Sequence, residues 1–224
     1  MKVSVIVPAL NEEPLIERAL LSVVNQQAQA EVVVVDGGSR DNTVGLARNY
    51  ARVITERRGR GRQMNLGAQY SSGDVLVFLH ADTELKPGYF EEISKALEDP
   101  SVVGGCAPLT FDSFHSVLWL YSRFTMMKFW LFHYGDGAVF VRRRVFEDLQ
   151  GFREMPIMED LDFLRRLRRV GRTVLLRTPV VTSARRFRKG GMVRNQARNM
   201  FIVSSFYLGV PPSQLARWYP DVRE

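Results

Sequence analysis

The chain has 224 residues, of which 46% are hydrophobic and 25% charged, a composition typical of a soluble globular protein with one α/β domain or two small ones. The single cysteine, Cys106, excludes an internal disulfide framework, and three histidines with one cysteine argue against a dedicated zinc cage. The net charge of +7 predicts an anionic partner, which leaves a nucleotide, an acidic membrane or nucleic acid open.

The amino-terminal stretch lacks the features of a secretory signal, and the apolar stretch 114–134 carries too many charged residues for a spanning helix. We therefore expect a cytoplasmic protein, with contact at the inner face of the membrane left open.

Apolar, β-branched runs alternate with helical patterns along the chain. Strands are predicted at 3–7, 31–36, 53–54, 75–79, 102–109, 139–141 and 174–176, and helices at about 11–24, 41–50, 64–70, 87–97, 114–132, 158–164 and 193–207. Asn11 is the predicted N-cap of the first helix. The alternation indicates βαβ units, and hence an α/β fold with a mostly parallel central sheet flanked by helices.

Acidic residues follow three of the predicted strands: Glu12, Asp36 and Asp82. The carboxyl ends of parallel strands meet at one edge of a sheet, where α/β proteins bind ligands. Carboxylates there accept hydrogen bonds from a base or ribose, and Asp82 can hold a hard divalent cation against a diphosphate. Strand alternation would place His80 on the same side as Asp82. Helix capping, a glycine-rich turn and an Asp-Thr turn are the structural alternatives for the three acids.

A basic segment with Arg57, Arg58, Arg60 and Arg62 precedes the predicted helix at 64–70. Guanidinium groups bind phosphates through paired hydrogen bonds, although a solvated charged loop explains the same run. The segment is not a P-loop, because no Gly-Lys-Ser/Thr follows its glycines.

Four blocks, taken together, resemble the family 2 glycosyltransferases, in particular small bacterial members with the GT-A fold. They are VIVPALNEE at 5–13, VVDGGSRDNT at 34–43, LHADT at 79–83 and Glu159-Asp160, and they occur in the family's order between residues 3 and 191. The resemblance implies a single Rossmann-like GT-A domain, with residues 1–108 as the nucleotide-sugar-binding half and residues 109–224 as the acceptor-binding half with a C-terminal helix.

The resemblance also implies a reaction, in which an inverting enzyme transfers a sugar from a nucleotide-diphosphate sugar, UDP-sugar favoured, to a hydroxyl acceptor. Mn²⁺ or Mg²⁺ would bind at Asp82. The implied nucleotide-binding residues are Pro8, Asn11, Glu12, Asp36, Gly38, Arg62, His80 and Ala81.

His80 departs from the family's Asp-x-Asp element, because it stands where the first aspartate is expected. An imidazole there could contact the ribose, help to ligate the metal, or orient Asp82. Asp160 matches the general base, which takes the acceptor proton; the alternative is that Glu159 and Asp160 only favour a helix N-terminus.

The implied acceptor or diphosphate contacts are Gly135, Asp136, Glu159, Arg186 and Arg188. Turn chemistry explains the Gly-Asp-Gly at 135–137 equally well, and the basic-aromatic motif at 185–188 matches the family only in part, since no Trp is present there. The methionine- and aromatic-rich stretch 114–134 is either core or a surface helix that touches anionic lipid or an apolar acceptor.

Two other functions stay open at this level. A nucleotidyltransferase on a similar sheet would release pyrophosphate from a nucleoside triphosphate. A non-catalytic basic protein would bind nucleic acid or membrane with steep salt dependence. We do not expect a nucleic-acid partner, because acids at strand ends repel phosphates unless a cation intervenes.

Overall fold

The computed structural model describes residues 1–126 and 137–219 of the chain. Ten strands are formed in this part, β1 (Val3–Ala9), β2 (Ala30–Asp36), β3 (Arg52–Thr55), β4 (Val75–Phe78), β5 (Thr83–Glu84), β6 (Val102–Cys106), β7 (Leu109–Phe111), β8 (Val139–Arg142), β9 (Arg172–Leu175) and β10 (Val180–Thr182). The helices are α1 (Ile16–Val24), α2 (Thr43–Ala47), α3 (Arg60–Gln69), α4 (Tyr89–Ala96), α5 (Ser116–Thr125), α6 (Arg143–Asp148), α7 (Glu159–Val170), α8 (Arg185–Gly190), α9 (Met192–Tyr207) and α10 (Pro212–Arg217).

Seven strands form the central sheet in the order β3-β2-β1-β4-β8-β6-β9. The pairs among β3, β2, β1 and β4 are parallel, as is β6 with β9, whereas β8 runs antiparallel to both of its neighbours. The predicted α/β fold with a mostly parallel sheet is thereby confirmed. Parallel pairing of β1, β2 and β4 brings their carboxyl ends to one edge.

Both faces of the sheet are covered, which explains the continuous apolar runs of its strands. On one face, Val75 and Val77 of β4 pack in a core with residues of α1 and α4. On the other, Leu76 and Phe78 pack with residues of α3, α6 and α7. The strand alternation therefore divides one β-branched segment between two cores.

A second sheet of three strands, β5-β10-β7, lies beyond the carboxyl end of β4. Thr83 of β5 pairs with Thr182 of β10, and the amide of Ser183 donates to the Asp82 carbonyl at 3.1 Å. This pairing brings the start of α8 next to the residues that follow β4.

Some predicted boundaries are wrong. The predicted strand at 102–109 is divided between β6 and β7, because Pro108 has no amide hydrogen to continue the ladder. The helix predicted from residue 64 begins at Arg60, so Arg60 and Arg62 are helical whereas Arg57 and Arg58 precede the helix. The helix predicted at 114–132 is α5 up to Thr125, and its remainder falls largely outside the described residues.

Asn11 is not a helix N-cap. The first helix begins at Ile16, and Asn11 adopts a positive φ of 51°. Its side-chain oxygen accepts from the amide of Arg40 at 2.9 Å, and its own amide donates to the Ser39 hydroxyl at 2.9 Å. The polar side chain is used to join the loops after β1 and β2, which local sequence cannot reveal.

The contact of α3 with the sheet gives a stability prediction. A Cβ added at Gly67 would overlap Ile6 Cγ2 and lie 3.1 Å from Val35 Cγ2. Gly67→Ala should therefore lower the free energy of unfolding by about 1–3 kcal/mol through overpacking, as measured by urea denaturation. The exposed Gln69→Ala on the same helix is the control, with a change within about 0.5 kcal/mol. Equal stability of the two variants would contradict close packing of α3.

Candidate active site

A cavity of about 460 Å³ opens at the carboxyl edge of the central sheet. Asp82, Asp160 and His80 line it together with Arg58 and Arg60. Its other walls come from β7, α5, α8, α9, α10 and α7 with the segment before it. Most of these residues are apolar: Leu109, Phe111, Tyr121, Pro156, Ile157, Met158, Leu161, Phe187, Val203, Ala216 and Tyr219. The lining thus combines a charged part, formed by the five residues named first, with a larger apolar part.

His80 and Asp82 reach the cavity from a turn, since β4 ends at Phe78. The expected strand alternation does not apply to them. The amide of Thr83 donates to the His80 carbonyl at 3.0 Å and closes this turn, and both side chains still line the cavity. Ala81 between them is buried.

Asp160 sits in the first turn of α7 beside two basic groups. Arg60 Nη2 lies 3.6 Å from Asp160 Oδ2, and His80 Nε2 lies 3.8 Å from the same oxygen. The latter distance is too long for a hydrogen bond. The Asp160 carboxylate therefore faces the cavity with a guanidinium close enough to stabilise its negative charge.

Glu159 is the buried neighbour of Asp160, with 1% of its surface exposed. Arg60 Nε donates a short hydrogen bond to Glu159 Oε1. Burial raises the pKa of Glu159 above its ordinary value, and Arg60 opposes this rise whereas Asp160 adds to it. One guanidinium therefore compensates two adjacent carboxylates. Arg60 and Glu159 are 99 residues apart, and no local pattern predicts their pairing.

Met158 precedes these acids with a left-handed backbone, φ 69° and ψ 15°. A non-glycine residue in this region costs free energy and is held by its surroundings. Met158 also lines the cavity, so this turn both sets the direction of α7 and supplies part of the wall. Neither property was predicted from the sequence.

Glu12 lies in the loop after β1 and Asp36 is the last residue of β2, and both are buried. Asp36 Oδ2 accepts from the amides of Gly38 at 2.9 Å and Ser39 at 3.0 Å, and Gly38 has a φ of 94°. Asp36 thus stabilises the glycine-rich turn that follows it, which is the structural alternative that the sequence left open for this residue.

Glu12 is paired with Arg185 at the start of α8. Arg185 Nη2 donates to Glu12 Oε2 at 2.7 Å, a contact between residues 173 positions apart. Sequence reasoning singled out Arg186 and Arg188 in this segment and missed Arg185. Arg188 lies 3.6 Å from Asp112, and the side chain of Arg186 falls outside the described residues.

Asp82 differs from the other carboxylates of this region. Among the described residues, its side chain has no ion pair with an arginine, a lysine or a histidine and accepts from no backbone amide. The Thr83 hydroxyl donates to Asp82 Oδ1 at 3.4 Å.

The remaining candidates are placed as follows. Pro8 is buried within β1. Arg62 pairs with Glu154 at 2.6 Å and does not line the large cavity, whereas Arg58 and Arg60 do. Gly135 and Asp136 fall outside the described residues.

Gln63 was not predicted as a site residue. Its side-chain amide donates to the carbonyls of Ala9 at 3.0 Å and Val35 at 2.8 Å, and these hydrogen bonds fix α3 to the ends of β1 and β2.

The Arg60 cluster predicts a pH-dependent loss of stability. Without Arg60, the raised pKa of Glu159 should rise further. A carboxyl group whose pKa is higher in the folded than in the unfolded protein destabilises the folded state as the pH increases. Arg60→Gln should therefore destabilise the protein by on the order of 2 kcal/mol at neutral pH, less than for a fully buried pair because the Arg60 side chain is 30% exposed. The difference from the wild type should shrink as the pH falls to about 4.

The measurement is urea denaturation of both proteins across this pH range. Arg62→Gln is the matched control, since it removes an exposed ion pair from the same helix and should cost at most about 1 kcal/mol at any pH. A difference for Arg60→Gln that stays constant with pH would show that Glu159 is not the group affected.

Comparison with known proteins gives the family. The model of glycosyl transferase family 2 matches residues 4–150, which is more than half of the chain. The glycosyltransferase AglE of Haloferax volcanii is 31% identical over 139 residues, covering 56% of this chain and 46% of AglE. An N-acetylglucosaminyltransferase of Rhizobium sp. (strain N33) is 31% identical over 141 residues, covering 58% of this chain and 31% of that protein. The chain spans less than half the length of these two relatives.

Solved structures share the fold. The mannosyltransferase PcManGT from Pyrobaculum calidifontis, in complex with GDP-Man and Mn²⁺, superposes with a TM-score of 0.67 at 20% identity, covering 97% of this chain and 68% of that one. S. aureus TarS 1–349 in complex with UDP gives a TM-score of 0.64 at 17% identity, with 97% and 70% covered. The sheet is therefore that of GT-A glycosyltransferases, and the match over residues 4–150 shows that the chain belongs to glycosyl transferase family 2.

Proposed function

We propose that this protein transfers a glycosyl group from a nucleotide-diphosphate sugar, UDP-sugar favoured, to an acceptor hydroxyl, with inversion at the anomeric carbon. The observation that carries the proposal is the pair Asp82 and Asp160, which line one cavity in different surroundings. Asp160 has a guanidinium beside it, and Asp82 has no ion-pair partner in the described part of the chain. Such a difference suits two carboxylates with two roles.

The donor would bind at the edge formed by the loops after β1, β2 and β4. Family membership supports this, as do the nucleotide-bound structures of proteins with the same fold, which hold UDP in TarS and GDP-Man in PcManGT. In this chain, Glu12 and Asp36 would face the base and ribose, and Arg58 and Arg60 provide positive charge in the charged part of the cavity lining. Residues 1–108 would thus serve mainly the donor.

The metal requirement fits the donor set that is present. Among the described residues, no three His, Cys, Asp or Glu side chains form a cluster that could hold an ion. A hard cation such as Mn²⁺ or Mg²⁺ needs no such cage in a nucleotide site, because one carboxylate, water and the phosphates of the substrate complete its coordination. Asp82 would supply that carboxylate. When bound, the cation would offset the charge of the departing diphosphate.

Asp160 would act as the general base. The proton of the acceptor hydroxyl moves to a carboxylate oxygen of Asp160 while the acceptor oxygen forms a bond to the anomeric carbon. The bond between that carbon and the diphosphate oxygen breaks, and its electron pair leaves with the diphosphate. Attack from the face opposite the leaving group gives inversion. Arg60 holds α7 by its bond to the adjacent Glu159 and so positions the base.

The acceptor would enter along the apolar part of the cavity lining, which residues after 108 provide. Phe111, Tyr121, Phe187 and Val203 belong to this part. Apolar walls with few polar groups bind apolar parts of a ligand. We therefore propose that the acceptor is a hydroxyl-bearing molecule with an apolar portion, and that contact with a membrane gives access to it.

The role of Asp160 predicts a specific loss of activity. A screen of nucleotide sugars for Mn²⁺-dependent hydrolysis identifies the donor, with water in place of the acceptor. Asp160→Asn should lower the rate of nucleotide release by about 10²–10⁴-fold, while calorimetry shows donor affinity within about threefold of the wild type. Glu154→Gln, an exposed carboxylate outside the large cavity, is the control and should keep full activity. Full activity in Asp160→Asn would exclude this base.

The role of Asp82 predicts a loss of metal-dependent binding. In calorimetry, Mn²⁺ should strengthen the binding of UDP or GDP to the wild type. Asp82→Asn should reduce the Mn²⁺-dependent increase in nucleotide affinity by at least about tenfold. Removal of a residue that only supports a metal ligand already lowers metal affinity by about that factor. Binding without metal should change little. If neither UDP nor GDP binds the wild type in the presence of Mn²⁺, the donor class itself is wrong.

A further inference from the structure

The outward face of α9 is apolar. Its exposed residues recur with helical spacing and lie along one stripe, which we call the α9 stripe: Val193, Ala197, Met200, Phe201, Ser204 and Leu208. Val193 is 68% exposed, Phe201 58% and Leu208 85%. A surface helix normally turns such a stripe toward the core, so an exposed one indicates an interaction surface.

The opposite face of the same helix is already in use. Asn195, Ile202 and Val203 are buried, and Val203 and Asn199 line the cavity. The α9 helix therefore separates the apolar part of the cavity from the exterior. Whatever binds the α9 stripe lies one helix away from the acceptor side of the site.

An aromatic side chain extends the stripe. The ring of Trp218, just after α10, lies with its centroid 5.5 Å from that of Phe201 and is 45% exposed. Tryptophan is enriched where an apolar phase meets water, because its indole has an apolar body and a polar N–H.

The segment that holds the stripe is basic in sequence, although Arg185 pairs with Glu12 and Arg188 with Asp112 from other parts of the chain. Residues 185–219 contain no aspartate or glutamate and seven basic residues, so this segment alone carries a charge equal to the +7 of the whole chain: Arg185, Arg186, Arg188, Lys189, Arg194, Arg198 and Arg217. Arg194 on α9 and Arg217 on α10 are exposed. An apolar stripe flanked by basic residues is complementary to the surface of an anionic bilayer.

We propose that the α9 stripe binds an anionic lipid membrane, with α9 lying in the plane of the interface. Nucleic acid would match the basic residues and could stack on Phe201, but it has no apolar phase to cover Val193, Met200 and Leu208. A second copy of the chain would bring two segments of charge +7 together, which is unfavourable. None of the helices within residues 1–126 and 137–219 is long and apolar enough to cross a bilayer, so this contact is at the surface. This contact would give the transferase of the proposed function a membrane partner, and the binding can be tested without catalysis.

Flotation of the full chain with vesicles tests this proposal without any nucleotide sugar. The wild type should bind vesicles of phosphatidylcholine mixed with phosphatidylglycerol and bind pure phosphatidylcholine much more weakly, and added salt should weaken the binding. The double variant Met200→Gln/Phe201→Gln should lower the ratio of bound to free protein by about tenfold or more, since two side chains that would insert are replaced. Arg194→Gln should reduce binding to the anionic vesicles only.

Matched variants keep the test specific. Val24→Gln/Tyr70→Gln changes two similarly exposed apolar residues far along the chain, on α1 and after α3, and should bind like the wild type. Because Phe201 contacts Trp218, Val193→Gln/Leu208→Gln provides a second test of the stripe, with thermal unfolding as the check on folding. Asp160→Asn should also bind normally, which separates membrane binding from the proposed catalysis.

Three results would overturn the proposal: no vesicle binding by the wild type, equal binding by the stripe variants and the control, or equal binding to neutral and anionic vesicles. Light scattering that shows a dimer which Met200→Gln/Phe201→Gln dissociates, with no vesicle binding, would identify the stripe as an interface between copies instead.

Discussion

The arrangement of the site depends on the guanidinium of Arg60. Glu159 and Asp160 are adjacent carboxylates with 1% and 6% of their surfaces exposed, and together they would repel each other in the wall of the cavity. Arg60 donates to the first and lies 3.6 Å from the second, so it makes their common burial tolerable. It also joins α3 to α7. Because Gln63 of α3 binds the carbonyls at the ends of β1 and β2, the position of Asp160 is fixed to the central sheet through one short helix.

The acids at the sheet edge are compensated in different ways, and the proposed roles of Asp82 and Asp160 rest on this difference. Glu12 has an arginine, Asp36 has backbone amides, and Asp160 has Arg60 at a longer distance. Among the described residues, the Asp82 side chain has neither a basic partner nor a backbone amide, and it accepts only from the Thr83 hydroxyl at 3.4 Å. A carboxylate that is left open in a cavity with basic neighbours is the group expected to meet an external cation. The small sheet makes this possible by holding the Asp82 turn through its backbone, at the Ser183 amide, and not through its side chain.

Much of the fold follows from local patterns, because β-branched runs and helical spacing report directly which residues are buried. The family blocks at 5–13, 34–43 and 79–83 likewise lie where strands end, so the residues that reach the sheet edge could be predicted from their positions in the chain. Contacts between residues far apart in the chain could not be predicted in this way. Arg185 reaches Glu12 only because β10 pairs with β5, and Arg60 reaches Asp160 only because it lies at the start of α3, which faces α7. The N-cap prediction for Asn11 was wrong for the same reason, since its side chain accepts from Arg40 in the loop after β2 and does not cap the first helix.

The C-terminal helices show how one element can serve two environments. A helix that only closed the cavity would be expected to carry polar residues outside, and one that only bound a membrane would have no reason to line a site. The α9 helix has buried and cavity-lining residues on one face, and on the other it carries the apolar stripe, which extends to its C-cap Leu208. If both faces are used, an apolar acceptor held in the bilayer has only the width of this helix to cross before it reaches the apolar part of the cavity. The positive charge of residues 185–219 would then attract anionic lipid on the outer face of α9 and the diphosphate of the donor on the cavity face.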